Sequence, residues 1–303
     1  MESGMIYLHK FRLPTLAQEE DHAHRFWPFE LGGNPHPNEY PYGIFPYKRL
    51  QQMEFSEITI FYGGNGSGKS TLLNLIAESL KLPRITPFNR STYFDEYVKL
   101  MCSHEASGGR PKNSVPNGSA IYTSDDVFFD LLDRRVDNEE AFIRRKERED
   151  EHRAVHNFGG GAIEFRSLDD YDELVRQIDL RRKTLTQYVN QYGGRIRTPD
   201  SNGEYALNFF QDHFRDDRLY LLDEPENSLS PKFQLQLIQL IQDCARFYNC
   251  QFVISTHSPF VMSLKGALIY DLDSIPVETK PWYELENMKL YYQLFNENRE
   301  KFE

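Results

Sequence analysis

The fold of this chain is decided by the stretch Gly63-Gly64-Asn65-Gly66-Ser67-Gly68-Lys69-Ser70-Thr71, which matches the pattern G-x-x-x-x-G-K-[ST]. Glycines in this pattern let successive backbone N–H groups converge on phosphate oxygens. We expect Lys69 to reach the β- and γ-phosphates of a nucleotide, and the Ser70 hydroxyl to hold Mg²⁺. The stretch, called the phosphate loop below, therefore predicts a binding site for ATP with Mg²⁺.

The sequence on either side of the phosphate loop supports this prediction. Phe55–Tyr62 is a short apolar run rich in β-forming residues, and Ser70–Leu80 has apolar residues spaced for one face of a helix. A strand, a glycine-rich loop and a helix therefore follow in order, with the helix N-terminus directed at the phosphates. A glycine-rich loop alone is more often a turn, but the complete pattern in this context favours nucleotide binding.

An acidic pair follows a second apolar strand. Leu219–Leu222 is entirely apolar, and Asp223 and Glu224 come directly after it. Ligands of α/β sheets bind at the carboxyl ends of strands. We expect Asp223 to complete the Mg²⁺ shell and Glu224 to accept a proton from the attacking water. The alternative is a surface acidic pair or a helix cap.

A histidine follows a third predicted strand. Ser255-Thr256-His257-Ser258-Pro259 begins where the strand Phe252–Ser255 ends. A histidine in this place can hydrogen-bond the γ-phosphate and orient the water, although a lone histidine at a strand end is more often structural. Because two nucleotide motifs precede it, we predict that His257 acts with Lys69 and Glu224 in catalysis.

The three motifs in this order resemble the ABC-type ATPase superfamily, and more narrowly the stand-alone bacterial ATPases labelled AAA-type. The resemblance covers roughly Met5–Glu278. It implies that Ser201-Asn202-Gly203-Glu204 replaces the longer ABC signature, so that Ser201 and Gly203 contact the γ-phosphate bound to the opposite subunit. It also implies that Asn227–Ser230 is a D-loop crossing an ATP-dependent homodimer interface. The chain would then resemble the head of structural-maintenance-of-chromosomes proteins without long coiled-coil arms.

Strands that alternate with helices predict an α/β P-loop NTPase fold, with a mostly parallel sheet flanked by helices. The resemblance adds a small N-terminal β portion. We expect one ABC-like ATPase domain over residues 1–303 and a helical lid insertion over residues 127–200. The arginines of the insertion could form a basic patch, but their acidic neighbours favour an ion-paired, solvated face. Pro14–Pro46 shows no periodicity and is expected to be irregular.

Two parts of the expected site are left open by the sequence. The glutamine of the ABC Q-loop is not evident, and Asp125 or Asp126 is the candidate for its place. The residue that stacks on adenine is also open, with Tyr40, Tyr42 and Phe45 as upstream candidates.

Composition limits the class of protein. The 303 residues carry a net charge of -11, which lowers the expectation of a dedicated nucleic-acid binder without excluding one. The three cysteines form no C-x-x-C pair, and no apolar run reaches the roughly 20 residues of a transmembrane helix. We therefore expect a reduced, soluble, cytoplasmic protein without a membrane segment.

Three functions are compatible with these features. The first is an ATP-binding and ATP-hydrolysing molecular switch that dimerises around two ATP–Mg²⁺ and acts on a partner protein. The second is the ATP-sensing subunit of a bacterial DNA-processing or phage-defence system with a separate nuclease or toxin effector. The third is the ATPase subunit of an ABC transporter. A nucleotide kinase is less favoured, because the motifs suit transfer to water.

Overall fold

The computed structural model describes residues 5–26, 40–158, 171–196, 201–227 and 229–302. The chain divides into two compact units. The first, called the sheet unit, comprises Met1–Phe128 and Asn202–Glu303. The second, called the helical unit, comprises Phe129–Ser201.

The described strands form two sheets in the sheet unit. Their bounds are Leu8–Arg12 (β1), Gln52–Glu54 (β2), Ile58–Tyr62 (β3), Ser103–Ala106 (β4), Ala120–Thr123 (β5), Leu219–Asp223 (β6), Gln251–Ser255 (β7), Leu268–Asp271 (β8) and Glu278–Thr279 (β9). The smaller sheet has the order β2-β1-β4 and is antiparallel. The larger has the order β5-β6-β7-β3-β8-β9 and is parallel except for β9. The phosphate loop therefore follows β3, which is a strand in the interior of the parallel sheet.

The helices connect the strands and cover the sheets. Their bounds are Leu16–Phe26 (α1), Ile44–Tyr47 (α2), Lys69–Leu80 (α3), Phe94–Met101 (α4), Ser124–Phe158 (α5), Tyr171–Arg182 (α6), Leu185–Tyr192 (α7), Asn202–His213 (α8), Pro231–Phe247 (α9), Pro259–Met262 (α10) and Glu286–Glu297 (α11). Helix α9 begins with Pro231, which suits a first turn because proline lacks only an N–H that would have no helical partner. Helix α5 starts in the sheet unit and continues into the helical unit.

The parallel sheet is buried on both faces, which is why its strands read as continuous apolar runs. Successive residues of β3 face opposite sides, so Ile60 joins one apolar cluster and Phe61 the other. The first cluster includes Phe210 of α8 and Ile241 of α9. The second includes Leu72 of α3 together with residues of the antiparallel sheet. Helices and the small sheet thus hold the central strands rigidly from both sides.

One buried amide joins the two sheets. Gln251 at the start of β7 is fully buried. Its Oε1 accepts hydrogen bonds from the backbone N–H groups of Tyr7 at 2.9 Å and Leu8 at 2.8 Å. Its Nε2 donates to the carbonyl oxygens of Leu8 at 2.9 Å and Ser56 at 3.0 Å. Because each side-chain donor and acceptor is used, this amide fixes β1 against the end of β7 at little desolvation cost.

The helical unit has its own polar centre. The carboxylate of Glu151 accepts hydrogen bonds from Arg148 at 2.8 Å, Arg176 at 2.8 Å and Tyr188 at 3.0 Å. Helix α7 begins with a capping box formed by Thr184 and Gln187. These contacts tie α5, α6 and α7 together within the unit. Arg148 and Arg176 are therefore ion-paired with Glu151.

The predicted α/β fold with a mostly parallel sheet flanked by helices is confirmed. The antiparallel sheet stands where the small N-terminal β portion was expected. The expectation of an irregular Pro14–Pro46 was wrong for Leu16–Phe26, which is helical, while residues 27–39 lie outside the described ranges. Among the described residues, no helix combines the length and hydropathy that crossing a bilayer requires.

Candidate nucleotide site

Three neighbouring strands bring the predicted motifs to one edge of the parallel sheet. Ser255 at the end of β7 pairs with Phe61 of β3 on one side and with Asp223 of β6 on the other. Because these strands are parallel, their carboxyl ends lie side by side. The phosphate loop, the Asp223–Glu224 pair and the segment that carries His257 therefore meet, although they are far apart in the chain.

The shape of the phosphate loop depends on glycine at two positions. A Cβ at Gly63 would lie 2.5 Å from Ser67 Oγ, so a side chain there has no room. Gly68, which caps α3, has a φ of 96°, in the left-handed region that glycine adopts without strain. The Oγ of Ser67 is buried and has no hydrogen-bond partner among the described residues. A phosphate oxygen is a suitable acceptor for such a hydroxyl, so the loop fits a polyphosphate.

Lys69, the first residue of α3, is almost fully buried, and its ammonium lies over the loop. Its Nζ donates to the carbonyl oxygens of Gly63 at 3.0 Å and Gly64 at 3.2 Å, and lies 2.7 Å from His257 Nε2. Burial lowers the pKa of Lys69, while the carboxylates of Glu224 and Asp223 act in the opposite direction. A phosphate oxygen would replace one of these acceptors and supply a stronger, charge-assisted bond.

Ser70 and Asp223 form the candidate metal pair. The Ser70 hydroxyl donates to Asp223 Oδ1 at 3.1 Å, and the hydroxyl of Ser255 donates to the same oxygen. Burial raises the pKa of Asp223, and these two hydrogen bonds partly offset the effect. Mg²⁺ prefers hard oxygen ligands and keeps several waters when it binds beside substrate phosphates. A hydroxyl and a carboxylate beside an open cavity fit that ion, and its charge would compensate the cost of burying Asp223.

Glu224 has a left-handed backbone, with a φ of 48°. This conformation costs a non-glycine residue on the order of 1–2 kcal/mol. Its N–H donates to the carbonyl oxygen of Ser255 at 3.0 Å, which holds the turn in place. As a result, Oε1 lies 3.2 Å from His257 Nε2 and Oε2 accepts from Asn227 Nδ2 at 3.1 Å. Strained residues of this kind cluster at functional sites, where the surrounding structure enforces them.

A cavity of about 700 Å³ opens beside these residues. One wall carries Ser70, Asp223 and Glu224, and the cavity is also lined by Tyr40, Arg84 and Arg90. The Arg84 guanidinium donates to Asn74 Oδ1 at 2.7 Å and lies 4.0 Å from the Phe88 ring centroid. A cation in such a wall would face an anionic ligand. Sequence reasoning missed Arg84 because the stretch after α3 has no periodicity that marks an inward-facing side chain.

Burial narrows the candidates for the Q-loop residue and for the residue that stacks on adenine. Asp126 is fully buried, and its carboxylate accepts hydrogen bonds from Thr86 N–H and Thr123 N–H, both at 2.7 Å. It is therefore not available as the Q-loop residue, whereas Asp125 is exposed and lines the cavity. Among the candidates for stacking on adenine, Tyr42 and Phe45 were wrong because both rings are buried in the core.

Two elements are expected to act across a dimer. Gly203 lies in the first turn of α8 and does not line the cavity beside Ser70, and Ser201 directly precedes that helix in the chain. In the expected D-loop, Asn227 contacts Glu224 as described above, and Ser228 lies outside the described residues. Within the sheet unit, a single chain therefore brings together the phosphate loop, Asp223, Glu224 and His257.

Two further carboxylates near the site were not predicted. Asp273, in the turn after β8, accepts a hydrogen bond from the backbone N–H of Gly64 at 2.7 Å. Glu226, two residues beyond Glu224, accepts hydrogen bonds from the backbone of the segment that carries His257. The sequence signal for Glu226 was its place directly after Asp223-Glu224-Pro225, whereas nothing local marks Asp273.

Comparison with known proteins gives one family. Residues 124–263 match the family described as "AAA domain, putative AbiEii toxin, Type IV TA system". The matched range includes the Asp223–Glu224 pair and His257. No curated protein matches the chain.

Several solved structures are similar to the chain at low identity. The SMC head domain from Thermotoga maritima is 15% identical, covers 91% of this chain and 99% of its own, and has a TM-score of 0.39. CbiO1 from Clostridium perfringens, part of the ABC transporter complex cbiONQ, is 14% identical and covers 82% of this chain and 86% of its own, with a TM-score of 0.34. A dimeric ATP-binding cassette bound to ADP and Pi is 13% identical, covers 78% and 91%, and has a TM-score of 0.36.

The site geometry and the family match concern the same motifs. The strand order places the phosphate loop, the acidic pair and the histidine at one sheet edge, and the family match covers the latter two. The chain has the α/β fold of a P-loop NTPase, and its residues 124–263 are similar to an AAA domain.

Proposed function

We propose that the protein binds ATP with Mg²⁺ and hydrolyses it to ADP and phosphate. The observation that carries the proposal is the position of the Glu224 carboxylate, with Oε1 3.2 Å from His257 Nε2 and 4.0 Å from Lys69 Nζ. A base, a hydrogen-bonding imidazole and a phosphate-binding ammonium are thus within reach of one reacting centre. General-base catalysis and charge stabilisation of the phosphoryl group are what ATP hydrolysis requires.

In the proposed reaction, the backbone N–H groups of the phosphate loop and Lys69 hold the β- and γ-phosphates. Glu224 accepts a proton from a water molecule as the water oxygen bonds to the γ-phosphorus. The bond between the γ-phosphorus and the β–γ bridging oxygen breaks, and ADP keeps that oxygen with its electron pair. His257 orients the water or the γ-phosphate, and Asn227 holds Glu224 through its Oε2.

Mg²⁺ is part of the proposal, with Ser70 and Asp223 as its protein ligands. Both supply oxygen donors, and Oγ and Oδ1 are 3.1 Å apart. When bound, the ion would neutralise charge that develops on the β- and γ-phosphates. The chain's own contribution is to hold the hydroxyl and the carboxylate together at the end of β6.

The biological output that we propose is a switch. Two subunits would enclose two ATP molecules, each held by the phosphate loop of one chain and by Ser201 and Gly203 of the other. The closed homodimer would act on a partner protein in the cytoplasm. Support comes from the resemblance, which assigns the Ser201–Glu204 element to the γ-phosphate of the opposite subunit.

Phosphate release tests the enzymatic part. The wild-type protein should release phosphate from ATP only with Mg²⁺, and Lys69→Ala should lose both nucleotide binding and turnover. Binding by Lys69→Ala with wild-type affinity would contradict the assigned site. The dimer is tested by light scattering of Glu224→Gln, whose mass should double with ATP–Mg²⁺ and not with ADP. A mass that ATP leaves unchanged would contradict the switch.

A second candidate function is an ATP-sensing subunit beside a nuclease or toxin effector. The observation that favours it is the family match over residues 124–263, since that family's description names a toxin and a toxin–antitoxin system. Copurification with a nuclease or toxin chain, and its release on ATP hydrolysis, would support this candidate. The third candidate, a transporter subunit, would instead copurify with membranes.

A further inference from the structure

The carboxylate of Glu226 lies beneath the segment that carries His257. Its Oε1 accepts hydrogen bonds from Thr256 Oγ1 at 2.5 Å, from the His257 N–H at 2.8 Å and from the Ser258 N–H at 3.0 Å. Glu226 is 8% exposed, and burial raises its pKa while these hydrogen bonds act in the opposite direction. Its second oxygen, Oε2, is buried and has no hydrogen-bond partner among the described residues. Such a costly arrangement calls for a role.

A closed ring of hydrogen bonds extends this contact. Ser258 Oγ donates to Gln234 Oε1 at 2.6 Å, and Gln234 Nε2 donates to the carbonyl oxygen of Leu229 at 2.9 Å. The N–H of Leu229 donates to the carbonyl oxygen of Glu226 at 2.9 Å. Since the N–H of Ser258 donates to the Glu226 side chain, the ring is complete. It joins the turn after β6, the first turns of α9 and the turn after β7.

The ring of hydrogen bonds is also connected to Glu224, the proposed general base. Glu226 is two residues beyond Glu224 and immediately precedes Asn227, whose side chain holds Glu224. A displacement of the turn after β6 would therefore move the carboxylate of Glu226, and with it the backbone N–H of His257. The two turns that carry the base and the imidazole are linked by side chains as well as by the sheet.

We propose that Glu226 is a positioning residue that fixes His257 relative to Glu224 and transmits movements of the turn after β6 to the imidazole. The inference rests on the proposed function, since His257 acts in hydrolysis there. Glu226 itself touches no nucleotide. It acts through the backbone of residues 256–258.

A double-mutant cycle tests this role. Glu226→Ala should lower kcat about tenfold or more with little change in KM, because a misplaced catalytic group loses part of the roughly 10²- to 10⁴-fold effect of acid–base chemistry. Glu226→Gln keeps the Oε1 acceptor of all three hydrogen bonds, so His257 should stay in place and kcat should stay within about threefold of wild type. In a His257→Ala background, Glu226→Ala should cause less than about a twofold further loss, since residues that act as a unit are not additive.

Glu19 supplies a matched control. It is 4% exposed, and its carboxylate accepts from Gly43 N–H at 2.8 Å and Tyr97 Oη at 2.6 Å, away from His257. Glu19→Ala should lower Tm, and its effect on kcat should be the same with and without His257. If the fold-losses in kcat of Glu226→Ala and His257→Ala also multiply independently, Glu226 is only structural and the inference is overturned.

Two measurements keep the inference testable if Glu226→Ala folds poorly or turnover is absent. Gln234→Ala breaks the ring from the opposite side, at a half-buried helix position, and should show the same loss of additivity with His257→Ala. Amide hydrogen exchange needs no ATP turnover, and Glu226→Ala or Gln234→Ala should speed exchange at His257 and Ser258. Unchanged exchange there would contradict the inference, whereas absent turnover in wild type would contradict only the proposed function.

Discussion

Lys69 Nζ and His257 Nε2 lie 2.7 Å apart, so the loops after β3 and β7 share a direct hydrogen bond. An ammonium can only donate, which makes Nε2 the acceptor and places the imidazole proton on Nδ1. As the acceptor in this contact, Nε2 cannot also donate to Glu224. A phosphate that draws Lys69 away would free Nε2 to change partners. The Lys69–His257 contact therefore couples phosphate binding to the choice of hydrogen-bond partner at His257 Nε2.

Replacing Glu224 by glutamine should separate binding from chemistry. Glu224→Gln keeps the size of the side chain but cannot accept the proton, so single-turnover hydrolysis should slow by roughly a hundredfold or more. Nucleotide affinity should change little, because Lys69 and the phosphate loop are intact. Rapid-quench measurements with radiolabelled ATP check the rate. Hydrolysis at the wild-type rate would assign the base to another residue.

Asp223→Asn should stabilise the fold while removing the dependence on Mg²⁺. Burial raises the pKa of Asp223, so the folded protein binds that proton more tightly than the unfolded chain. The stabilisation that comes from binding this proton is fully present at pH values below the ordinary pKa of aspartate. It is lost as pH rises through the pKa of Asp223 in the folded protein. At neutral pH the ionised group therefore costs stability, and Asn removes that cost while keeping an acceptor for Ser70.

Thermal unfolding from pH 4 to pH 8 checks this prediction. If neutralisation recovers about 1 kcal/mol, Tm at pH 7 should rise by about 2–4 °C, and the gain should shrink toward low pH. Mg²⁺ should no longer strengthen nucleotide binding to Asp223→Asn. A fall in Tm at neutral pH would show that the carboxylate is net stabilising in the folded protein.

Removing the cation from the cavity wall should weaken substrate binding. Arg84→Ala takes away a guanidinium that lines the same cavity as Ser70, so the KM for ATP should rise about tenfold if one charge-assisted bond is lost. Arg12→Ala is the matched control, because Arg12 pairs with Glu105 at 2.5 Å on the antiparallel sheet and does not line this cavity. Titration of both variants with a fluorescent ATP analogue compares them. If both substitutions weaken binding of the analogue equally, Arg84 has no particular role in binding ATP.

A substitution of Ser201 tests the proposed site that is shared between two chains. A bulky cation in Ser201→Arg should block contact with the γ-phosphate of the opposite subunit, so hydrolysis should fall about tenfold or more, as for loss of a transition-state contact. Binding to the single chain should stay intact, because the phosphate loop and Lys69 are unchanged in this variant. Ser103→Arg, on an exposed position of β4, is the control for adding a charge. Unchanged hydrolysis in Ser201→Arg would contradict the two-chain site.

The proximity of the main residues of the candidate site could be predicted, because these residues are adjacent to local patterns. Each of Lys69, Asp223 and His257 lies within two residues of the end of an apolar strand, or begins the helix after a glycine-rich turn. In a parallel sheet such ends share one edge, so the sequence implies their proximity without any knowledge of strand order. The buried strands of this sheet are also apolar on both faces, which made them visible as runs.

Other features had no local pattern. The helix Leu16–Phe26 was missed because histidine and acidic residues interrupt its apolar pattern. Tyr42 and Phe45 were candidates for stacking on adenine, although their rings belong to the core. Both errors concern the region between β1 and β2, where packing against α3 and α4 decides which aromatic rings are buried. Intrinsic propensity is a weak guide where such tertiary contacts dominate.

The sequence by itself determined the phosphate loop, the acidic pair and the alternation of strands and helices, because these depend on residue type and spacing along the chain. Only the tertiary structure decided that Glu226 underlies His257, that Arg84 lines the cavity and that Asp126 is buried and hydrogen-bonded to Thr86. Those roles depend on contacts between distant segments and on burial. Each is set by the strand order and packing of the whole unit, which local spacing does not encode.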